Sequence, residues 1–411
     1  MSSQSPIIIA GGGLGGLTAA LALARRGFAV RVLEGAPEFG AIGYGIQFGP
    51  NVFHVFEPLG IADAVLKHAD SPPGVIMVDA LDGHEVTRVA TGRPRFRERF
   101  KYPYIVMHRI DLHRVLLDAC ARSDLIDLVP DAMVAGFVEE NERVVVGTED
   151  GRSFAGAALI GADGVRSRIR AQMFGDGELR PIGYVSHRTI VPMAELAVDV
   201  DRNDVVLWAG PGFHIVHYPL RNGELFNIVA VFRTASYAER TDAERWRADL
   251  QHTYRDAHPT MKALLAMLDL QRRWTLGVRD PVRIWHNGRT VLLGDAAHPT
   301  LQTLAQGACM AIEDGLCLAE CIHASGGDFA GAFRQFERAR CVRTARVTLE
   351  SNAIWDMYHA DGIARDVYWQ TLGERSDEDV FQCLAWLYDG FAFSGEPASP
   401  KMNQRAGIPG D

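Results

Sequence analysis

A glycine-rich turn near the N-terminus constrains the fold of this chain more than any other feature of its sequence. The short apolar run 7–10 is rich in β-branched residues, and five glycines follow it in the stretch 11–16. Residues 17–26 place apolar side chains at helical spacing, and 29–34 has the pattern of a second strand. A strand, a glycine turn, a helix and a strand within about 30 residues predict a βαβ unit.

The spacing of these glycines is typical of a turn that binds a dinucleotide. Gly11 permits the tight turn, Gly13 lets the backbone approach a pyrophosphate, and Gly16 allows the helix to pack closely on the strand. The N-terminus of the helix offers free N–H groups to the phosphates. Glu34 ends the second strand, where a carboxylate accepts both ribose hydroxyls and repels a 2′-phosphate, so FAD or NAD is expected rather than NADP. The expected contacts are Gly11, Gly13, Leu14, Gly15, Gly16 and Glu34.

Composition excludes several classes of protein. The 411 residues carry 42 Lys and Arg against 51 Asp and Glu, a net charge of −9, which argues against a general nucleic-acid binder. Hydrophobic residues make up 47%, enough for a large core, but no apolar run approaches the roughly 20 residues of a membrane span. Six cysteines without a CxxC pair fit a reducing cytoplasm.

The middle and the end of the chain have a different pattern from the beginning. Alternating and β-branched segments with glycine turns between 185 and 232 predict an antiparallel sheet built of hairpins. Helical patterns occupy 241–270, 329–372 and 376–389, and the last 20 residues predict a loose tail.

Two later motifs distinguish between FAD and NAD. The segment 160–167 contains Asp163-Gly164, and the segment 290–299 contains Gly294-Asp295 followed by Ala-Ala-His-Pro. Together with the glycine turn, in this order and at these distances, the chain resembles the single-component flavin-dependent aromatic hydroxylases. The resemblance runs from about residue 5 to 350.

This resemblance implies a fold and a division into domains. The fold is α/β, with a Rossmann-like FAD-binding domain, a second, mainly antiparallel substrate domain and a C-terminal helical region, as in para-hydroxybenzoate hydroxylase. The expected FAD-binding domain is discontinuous, the substrate domain has two parts, and helices and a tail complete the chain. The FAD-binding domain comprises 1–70, 105–180 and 281–345. The substrate domain comprises 71–104 and 181–280, and the C-terminal helices and tail comprise 346–411.

The resemblance also implies roles for further residues around the cofactor. Asp295, next to Gly294, would accept a hydrogen bond from the ribityl chain of FAD. The helix that starts near Gly307 and Ala308 would direct its N–H groups at the flavin ring. The remaining implied contacts are Asp163 near the pyrophosphate, Arg109 over the phosphates, and Gln47 in the loop 43–47 beside the isoalloxazine, where Tyr44 stands in place of a commonly small residue.

Two stretches, 213–219 and 298–308, resemble the members of this family that hydroxylate 3-hydroxybenzoate at carbon 6. The resemblance places His214 and Gln302 at the substrate phenol, and Tyr218 and Tyr104 along the carboxylate side. The residues themselves agree, because His214 and Tyr218 alternate onto one face of a strand while His217 points to the other. The resemblance therefore implies that a neutral His214 would take the phenol proton and that the phenolate would be hydroxylated by a flavin C4a-hydroperoxide to give 2,5-dihydroxybenzoate (gentisate).

Several alternatives and partners complete the hypothesis. Within the family, salicylate or 6-hydroxynicotinate are alternative substrates; from other classes, a non-enzymatic FAD sensor or an amine oxidase remain. NADH is expected as a transient electron donor, with NADPH open, because no second nucleotide-binding unit is visible. We expect no metal site, since the histidines show no HxH or HExxH cluster, and the resemblance implies a homodimer.

Overall fold

The computed structural model describes residues 5–40, 43–140, 142–237 and 243–391. The predicted tail, 392–411, lies outside these residues, as do 241 and 242 at the start of one predicted helical stretch. Within the described part, none of the helices combines the length and the apolar character that a membrane span requires.

The described residues form strands and helices that alternate along much of the chain. The strands are β1 (Ile7–Ala10), β2 (Val30–Leu33), β3 (Gly45–Phe48), β4 (Ala69–Asp70), β5 (Val75–Asp79), β6 (Glu85–Val89), β7 (Ile105–His108), β8 (Ile126–Val129), β9 (Val134–Glu140), β10 (Arg143–Thr148), β11 (Ser153–Gly156), β12 (Ala158–Gly161), β13 (Arg180–Pro192), β14 (Val205–Gly210), β15 (Phe213–Leu220), β16 (Leu225–Arg233), β17 (Trp274–Val278), β18 (His286–Asn287) and β19 (Thr290–Leu292). The helices are α1 (Leu14–Arg25), α2 (Phe53–Phe56), α3 (Ala62–Leu66), α4 (Pro94–Phe100), α5 (Arg109–Ala121), α6 (Arg168–Phe174), α7 (Ala243–Thr253), α8 (Pro259–Ala266), α9 (Gly307–Ala324), α10 (Phe329–Tyr358), α11 (Gly362–Gly373) and α12 (Asp377–Tyr388).

The first large sheet contains the predicted βαβ unit. Its order is β18-β19-β12-β1-β2-β8, and its pairs are parallel except for the terminal pair of β18 with β19. Every residue of β1 is buried, as expected for a parallel strand covered on both faces. Helix α1 packs against α5 and α9 over this sheet. The glycine turn therefore lies at the carboxyl edge of a parallel sheet, the usual place for ligands in such folds.

The second large sheet has the order β17-β13-β16-β15-β14-β5-β6. Its pairs are antiparallel except for β5 with β14, which run parallel. The strands within 185–232 all pair antiparallel with one another, as predicted. Helices α7 and α8 cover one face through an apolar cluster. On the other face, Trp355 of α10 and Trp369 of α11 pack against the sheet.

Two smaller sheets complete the strand structure. The antiparallel sheet β11-β10-β9 is attached to the first large sheet, and the sheet β3-β7-β4 lies between the two large sheets. The predicted fold class is therefore confirmed, whereas the exact domain boundaries proposed above remain a prediction.

The C-terminal helices differ in one respect from the sequence pattern. The pattern spans 329–372 without a break, but α10 ends at Tyr358 and α11 starts at Gly362. Asp361 accepts a hydrogen bond from the Gly362 N–H at 2.7 Å, and Gly362 has a φ of +54°, a left-handed conformation that favours glycine. The break leaves His359 at the end of α10, against β15.

Candidate active site

A cavity of about 880 Å³ lies where the N-termini of α1 and α9 face strands β5, β14 and β15. It brings together most of the residues that sequence analysis singled out: Gly13, Leu14, Gly15, Gln47, Tyr104, Arg109, His214, Tyr218, Gly294, Asp295, Gln302, Gly307 and Ala308. Four others, Gly11, Gly16, Glu34 and Asp163, lie outside this lining.

The glycine turn shows why these positions exclude larger residues. Gly11 has a φ of +109°, and a Cβ there would clash with the carbonyl oxygen of Ala162. A Cβ on Gly16 would clash with the carbonyl oxygen of Gly11, so strand and helix approach only through glycine. A Cβ on Gly13, in contrast, would meet no atom within 4 Å. Gly13 thus leaves space for a ligand rather than for the protein's own packing.

Glu34 and Asp163 support the loops behind the cavity. The two oxygens of Glu34 accept backbone hydrogen bonds from Gly12 at 2.8 Å and Ala36 at 2.9 Å. Oδ2 of Asp163 accepts from the N–H groups of Arg168 and Ile169, and its Oδ1 is buried with no hydrogen-bond partner among the described residues. Each carboxylate oxygen has two lone pairs, so these bonds leave acceptor capacity for ribose hydroxyls at Glu34.

Arg109 and Asp295 bring opposite charges to the lining of the cavity. Burial raises the pKa of Asp295, which the neighbouring Arg109 counteracts. Burial lowers the pKa of Arg109, and Asp295 opposes that shift. Within the described part of the chain, neither side chain makes a hydrogen bond or an ion pair. Both groups are therefore available to a polar ligand.

The Gly294-Asp295 turn is fixed from behind by a buried ionic network. Asp314 of α9 accepts hydrogen bonds from the Gly294 N–H at 3.1 Å and from Nε of Arg340 at 2.7 Å, and its Oδ2 lies 2.5 Å from Nε2 of His298. Arg340 also pairs with Glu313 at 2.6 Å. The network joins the turn to α9 and α10.

His214 and Gln302 meet at the substrate end of the cavity. They are 88 residues apart in sequence, yet Nε2 of His214 and Nε2 of Gln302 are 3.5 Å apart. His214 is only 1% exposed, and burial lowers its pKa well below the ordinary value, so the ring is neutral at pH 7. His217, on the other face of β15, accepts a hydrogen bond from the Trp208 indole at 3.1 Å.

The tyrosines predicted for the substrate both border this pocket. Tyr104 lines the cavity, but its hydroxyl donates to Oε1 of Gln47 at 2.6 Å. Tyr218 also interacts with Gln47, and burial raises the pKa of its phenol. Tyr44 lines the cavity too and packs edge-on against Trp274, with ring centroids 5.3 Å apart.

Neither Arg188, which lines this pocket, nor His359, which contacts His214 from behind it, is among the residues predicted from the sequence. Arg188 of β13 lines the cavity, donates to Oε1 of Gln302 at 3.0 Å and has no ion pair among the described residues, and its Nε is buried with no hydrogen-bond partner. His359 lies with its Nε2 2.9 Å from Nδ1 of His214. Arg188 follows Ser186 and His187 and precedes Thr189, so no apolar alternation marks it in the sequence, and His359 is 145 residues away from its partner.

A further group has the spacing of metal ligands, although sequence analysis expected no metal. Asp79, Asp82 and His84 place ligand atoms within 4.8 Å of one another in the described part of the chain. The Asp79 carboxylate already accepts hydrogen bonds from Arg365 and Trp369, and Asp82 contacts His84 at 2.6 Å. We assign no metal to this group.

Comparisons with known proteins agree with this geometry. The family model described as an FAD binding domain matches residues 4–328. The 3-hydroxybenzoate 6-hydroxylase of Polaromonas naphthalenivorans (strain CJ2) is 41% identical over 383 residues, 93% of this chain and 95% of that protein. The 6-hydroxynicotinate 3-monooxygenase of Pseudomonas fluorescens is 35% identical over 361 residues, 84% of this chain and 90% of that protein. The crystal structure of Klebsiella pneumoniae HpxO complexed with FAD and uric acid matches with a TM-score of 0.81 at 26% identity, covering 93% of this chain and 96% of that chain.

Proposed function

Because this chain belongs to the single-component FAD-dependent aromatic hydroxylases, we propose that it hydroxylates 3-hydroxybenzoate para to the hydroxyl group, giving 2,5-dihydroxybenzoate. The observation that carries the proposal is the meeting of a neutral His214 with Gln302 on one wall of the cavity. The relative that is 41% identical over most of both chains carries the same substrate in its name, which supports this choice.

The cavity fits FAD by the chemistry of its lining. Helices α1 and α9 both begin without a side-chain cap, so their first N–H groups are open to acceptor atoms of a ligand. Gly13 leaves space beside the first helix, and Arg109 and Asp295 have no hydrogen-bonding partners of their own in the described structure. Arg109 and the N–H groups of α1 would hold the phosphates, Asp295 would accept a hydrogen bond from the ribityl chain, and the N–H groups of α9 would face the flavin ring. When bound, FAD accepts a hydride from the nicotinamide and activates O2.

Charge complementarity supports an aromatic carboxylate as the substrate. Arg188 brings a permanent positive charge to the cavity, and no carboxylate of the described ranges lies beside it. A cation enclosed in this way is stabilised by an anionic ligand, because desolvation otherwise disfavours it. Burial lowers the pKa of Arg188, and Tyr218 stands nearby with an uncharged phenol. The carboxylate of 3-hydroxybenzoate would pair with Arg188 while its phenol meets His214.

The residues of the chain then perform a proton transfer. The phenol O–H takes the place of the Gln302 amide as the donor to Nε2 of His214, whose lone pair accepts the proton, and the electron pair of the O–H bond stays on the substrate oxygen. The phenolate is electron-rich at the ring position para to that oxygen, which is carbon 6. Gln302 holds the oxygen by a hydrogen bond from its amide. Apolar side chains, including Leu207 and Val216, line the cavity and exclude water from the reacting atoms.

The alternatives differ in what the pocket must recognise. Salicylate places its hydroxyl next to the carboxylate, so the groups that bind the two must also be neighbours. In 3-hydroxybenzoate they are one carbon further apart, and here the phenol and carboxylate sites belong to different strands, β15 and β13. A 6-hydroxynicotinate hydroxylase is a second candidate, favoured by the 35% identical relative. A non-enzymatic FAD sensor would not require that His214, Gln302 and Arg188 converge on one ligand.

The proposal extends to the partners of the reaction. We propose NADH as the electron donor, a homodimer as the assembled form, and a place in the cytoplasm, where gentisate formation would prepare an aromatic ring for later breakdown. All six cysteines are free thiols, which is in keeping with a reducing compartment. A comparison of NADH with NADPH and light scattering on the FAD-loaded protein test the first two points.

The test measures nicotinamide oxidation by the FAD-loaded protein with a panel of hydroxybenzoates, 6-hydroxynicotinate included, and identifies products by chromatography. We expect gentisate from 3-hydroxybenzoate with little peroxide. His214→Ala should slow hydroxylation by about 10²–10⁴-fold, because it removes the base, while FAD remains bound. His217→Gln, on the other face of the same strand, is the matched control and should retain activity. A hydroxylated product only from another substrate, or no stimulation by any, contradicts the proposal.

A further inference from the structure

The nitrogen of His214 that faces away from the cavity is held by a second histidine. Nδ1 of His214 lies 2.9 Å from Nε2 of His359, at the end of α10. The His359 ring packs against both Trp355 and Tyr184, with centroid distances of 4.5 and 4.8 Å. His359 is absent from the lining that the described residues give the cavity, so it contacts His214 from behind.

The direction of each hydrogen bond in this cluster follows from one residue. Arg188 carries only donors, so the atom of Gln302 that faces it must be the oxygen, as observed at 3.0 Å. The Gln302 amide nitrogen therefore faces Nε2 of His214, which must be the acceptor. A neutral imidazole carries one hydrogen, and for His214 it is then on Nδ1.

The hydrogen bond between His214 and His359 also has a defined direction. Nδ1 of His214 donates to Nε2 of His359, which must lack a hydrogen. The hydrogen of His359 is then on its own Nδ1. That atom is buried without a hydrogen bond of good geometry, and the group that interacts favourably with it is the backbone of Trp355, one turn earlier in α10. The hydrogen bonds thus run in one direction, from Arg188 through Gln302 and His214 to His359.

We propose that His359 is a positioning residue that fixes His214 in the tautomer with a bare Nε2 and stabilises the imidazolium formed when His214 takes the phenol proton. This inference rests on the proposed function for its second half and on the hydrogen-bond directions alone for its first. In the transfer, the phenol O–H bond breaks, the N–H bond forms at Nε2, and no other proton moves. The bond from Nδ1 to His359 strengthens, because its donor becomes charged.

As the hydrogen-bond acceptor for Nδ1 of His214, a neutral imidazole is better suited than a carboxylate. Burial lowers the pKa of His359 to about 4, so it stays uncharged beside His214. A carboxylate in its place would hold His214 protonated before the substrate arrives, and a protonated ring has no free Nε2 to accept the phenol proton. His359 supports the charge on His214 only after that charge has formed.

The first experiment reads the tautomer directly. Holoenzyme labelled with ¹⁵N-histidine is examined by long-range ¹H–¹⁵N NMR, and His214 is assigned from the spectrum of His214→Gln. We expect Nδ1 of His214 to be protonated and Nε2 to be bare. His359→Phe, which keeps an aromatic ring but offers no acceptor, should lose this preference, and His359→Gln, whose amide oxygen can replace Nε2, should keep it. A proton on Nε2 of His214 in the unmodified holoenzyme overturns the proposal, whatever the substrate proves to be.

The second experiment measures coupling, the fraction of oxidised NADH recovered as hydroxylated product. His359→Phe should lower the rate of hydroxylation by about tenfold to a hundredfold, the usual range for one hydrogen bond to a charged group, without changing FAD affinity or the rate of flavin reduction. His359→Gln should recover most of the loss. Tyr184→Phe, which keeps the ring packed against His359, is the control and should behave like the unmodified enzyme.

A ring-fluorinated 3-hydroxybenzoate separates a proton-transfer role from general damage. Its phenol is more acidic and therefore depends less on a base for deprotonation. This substrate should restore much of the coupling in His359→Phe. Normal coupling of His359→Phe, or an equal loss with both substrates, overturns the role. If the unmodified enzyme gives no product from 3-hydroxybenzoate, the substrate assignment fails, while the NMR result still decides the tautomer.

Discussion

At the scale of single residues, Arg188 makes the pocket a site for an anion. It has no carboxylate partner among the described residues; it donates to the oxygen of Gln302 at 3.0 Å, and its guanidinium lies over the ring of Trp274, 5.8 Å from the ring centroid. A guanidinium in such a place has two roles, because it attracts the substrate carboxylate and also orients the amide that faces His214. Loss of the arginine should therefore affect both substrate affinity and the fate of the reduced cofactor.

Arg188→Met should raise KM for 3-hydroxybenzoate by about tenfold to a hundredfold, the value of one charge-assisted hydrogen bond. The KM of the neutral 3-hydroxybenzamide should change little, since it offers no negative charge. Peroxide should increase with both substrates, because Gln302 is no longer oriented. Steady-state kinetics with product analysis measures these effects. Equal KM values for the acid in both enzymes would show that its carboxylate binds elsewhere.

Residues of the site differ in how far the sequence predicts them. His214 and Gln302 follow from family motifs and from alternation along a strand, which are local patterns. Arg188 and His359 are functional only through partners 114 and 145 residues away. Nothing in the neighbourhood of either residue distinguishes it from a polar residue on a strand or at the end of a helix. Such roles depend on which elements meet, and a single sequence does not contain that information.

At the scale of elements, the glycines in the turn between β1 and α1 have two different structural roles. Gly16 is required for packing, since a Cβ would clash with the carbonyl oxygen of Gly11, whereas Gly13 faces open space. The sequence predicted this βαβ unit because its periodicities are local and strong. It did not predict the break between α10 and α11, which depends on a single cap and one left-handed glycine, Gly362.

Gly16→Ala should lower the free energy of unfolding of the apoprotein by about 1–3 kcal/mol, as overpacking does, and FAD binding should weaken with it. Gly13→Ala should cost the apoprotein less than about 1 kcal/mol, because its backbone is extended and its side is open, and the main loss is that of a preferred N-cap residue. FAD affinity should nevertheless fall by tenfold or more. Urea unfolding of the apoproteins and equilibrium dialysis with FAD give the two quantities. An unaltered FAD affinity in Gly13→Ala would contradict the position assigned to the pyrophosphate.

At the scale of the whole molecule, the ionic network behind the Gly294-Asp295 turn connects the cofactor site to the C-terminal helices. Asp314, Glu313 and Arg340 are all fully buried, and they join α9 to α10. From the sequence alone, these three charged residues would be assigned to the polar side of amphipathic helices, because charged residues are rarely buried. Their burial is explained by one another and by the turn that Asp314 holds. Damage to the network should therefore reach the FAD site, although no member of it lines the cavity.

The stability that this network contributes should depend on pH in a defined window. Burial alone would raise the pKa of Asp314, but His298 and Arg340 lower it to about 2, below its ordinary value of 3.8. Because the pKa is lower in the folded state, the contribution is complete above about pH 4 and is lost as the pH falls toward 2. The difference between the two pKa values corresponds to roughly 2 kcal/mol.

Arg340→Met tests this through the whole molecule, because it leaves two buried carboxylates without their shared partner. It should cost about 3–5 kcal/mol at pH 7 and reduce FAD retention, and the deficit relative to the unmodified protein should shrink as the pH falls from 7 to 2 and the carboxylates become protonated. Arg346→Met is the matched control on the same helix, since Arg346 forms an exposed pair with Glu350 and should contribute less than about 1 kcal/mol. Urea unfolding across this pH range measures the difference. A deficit that does not change with pH would mean that Arg340 stabilises the helices by packing, and that the charge of Asp314 is balanced by His298 alone.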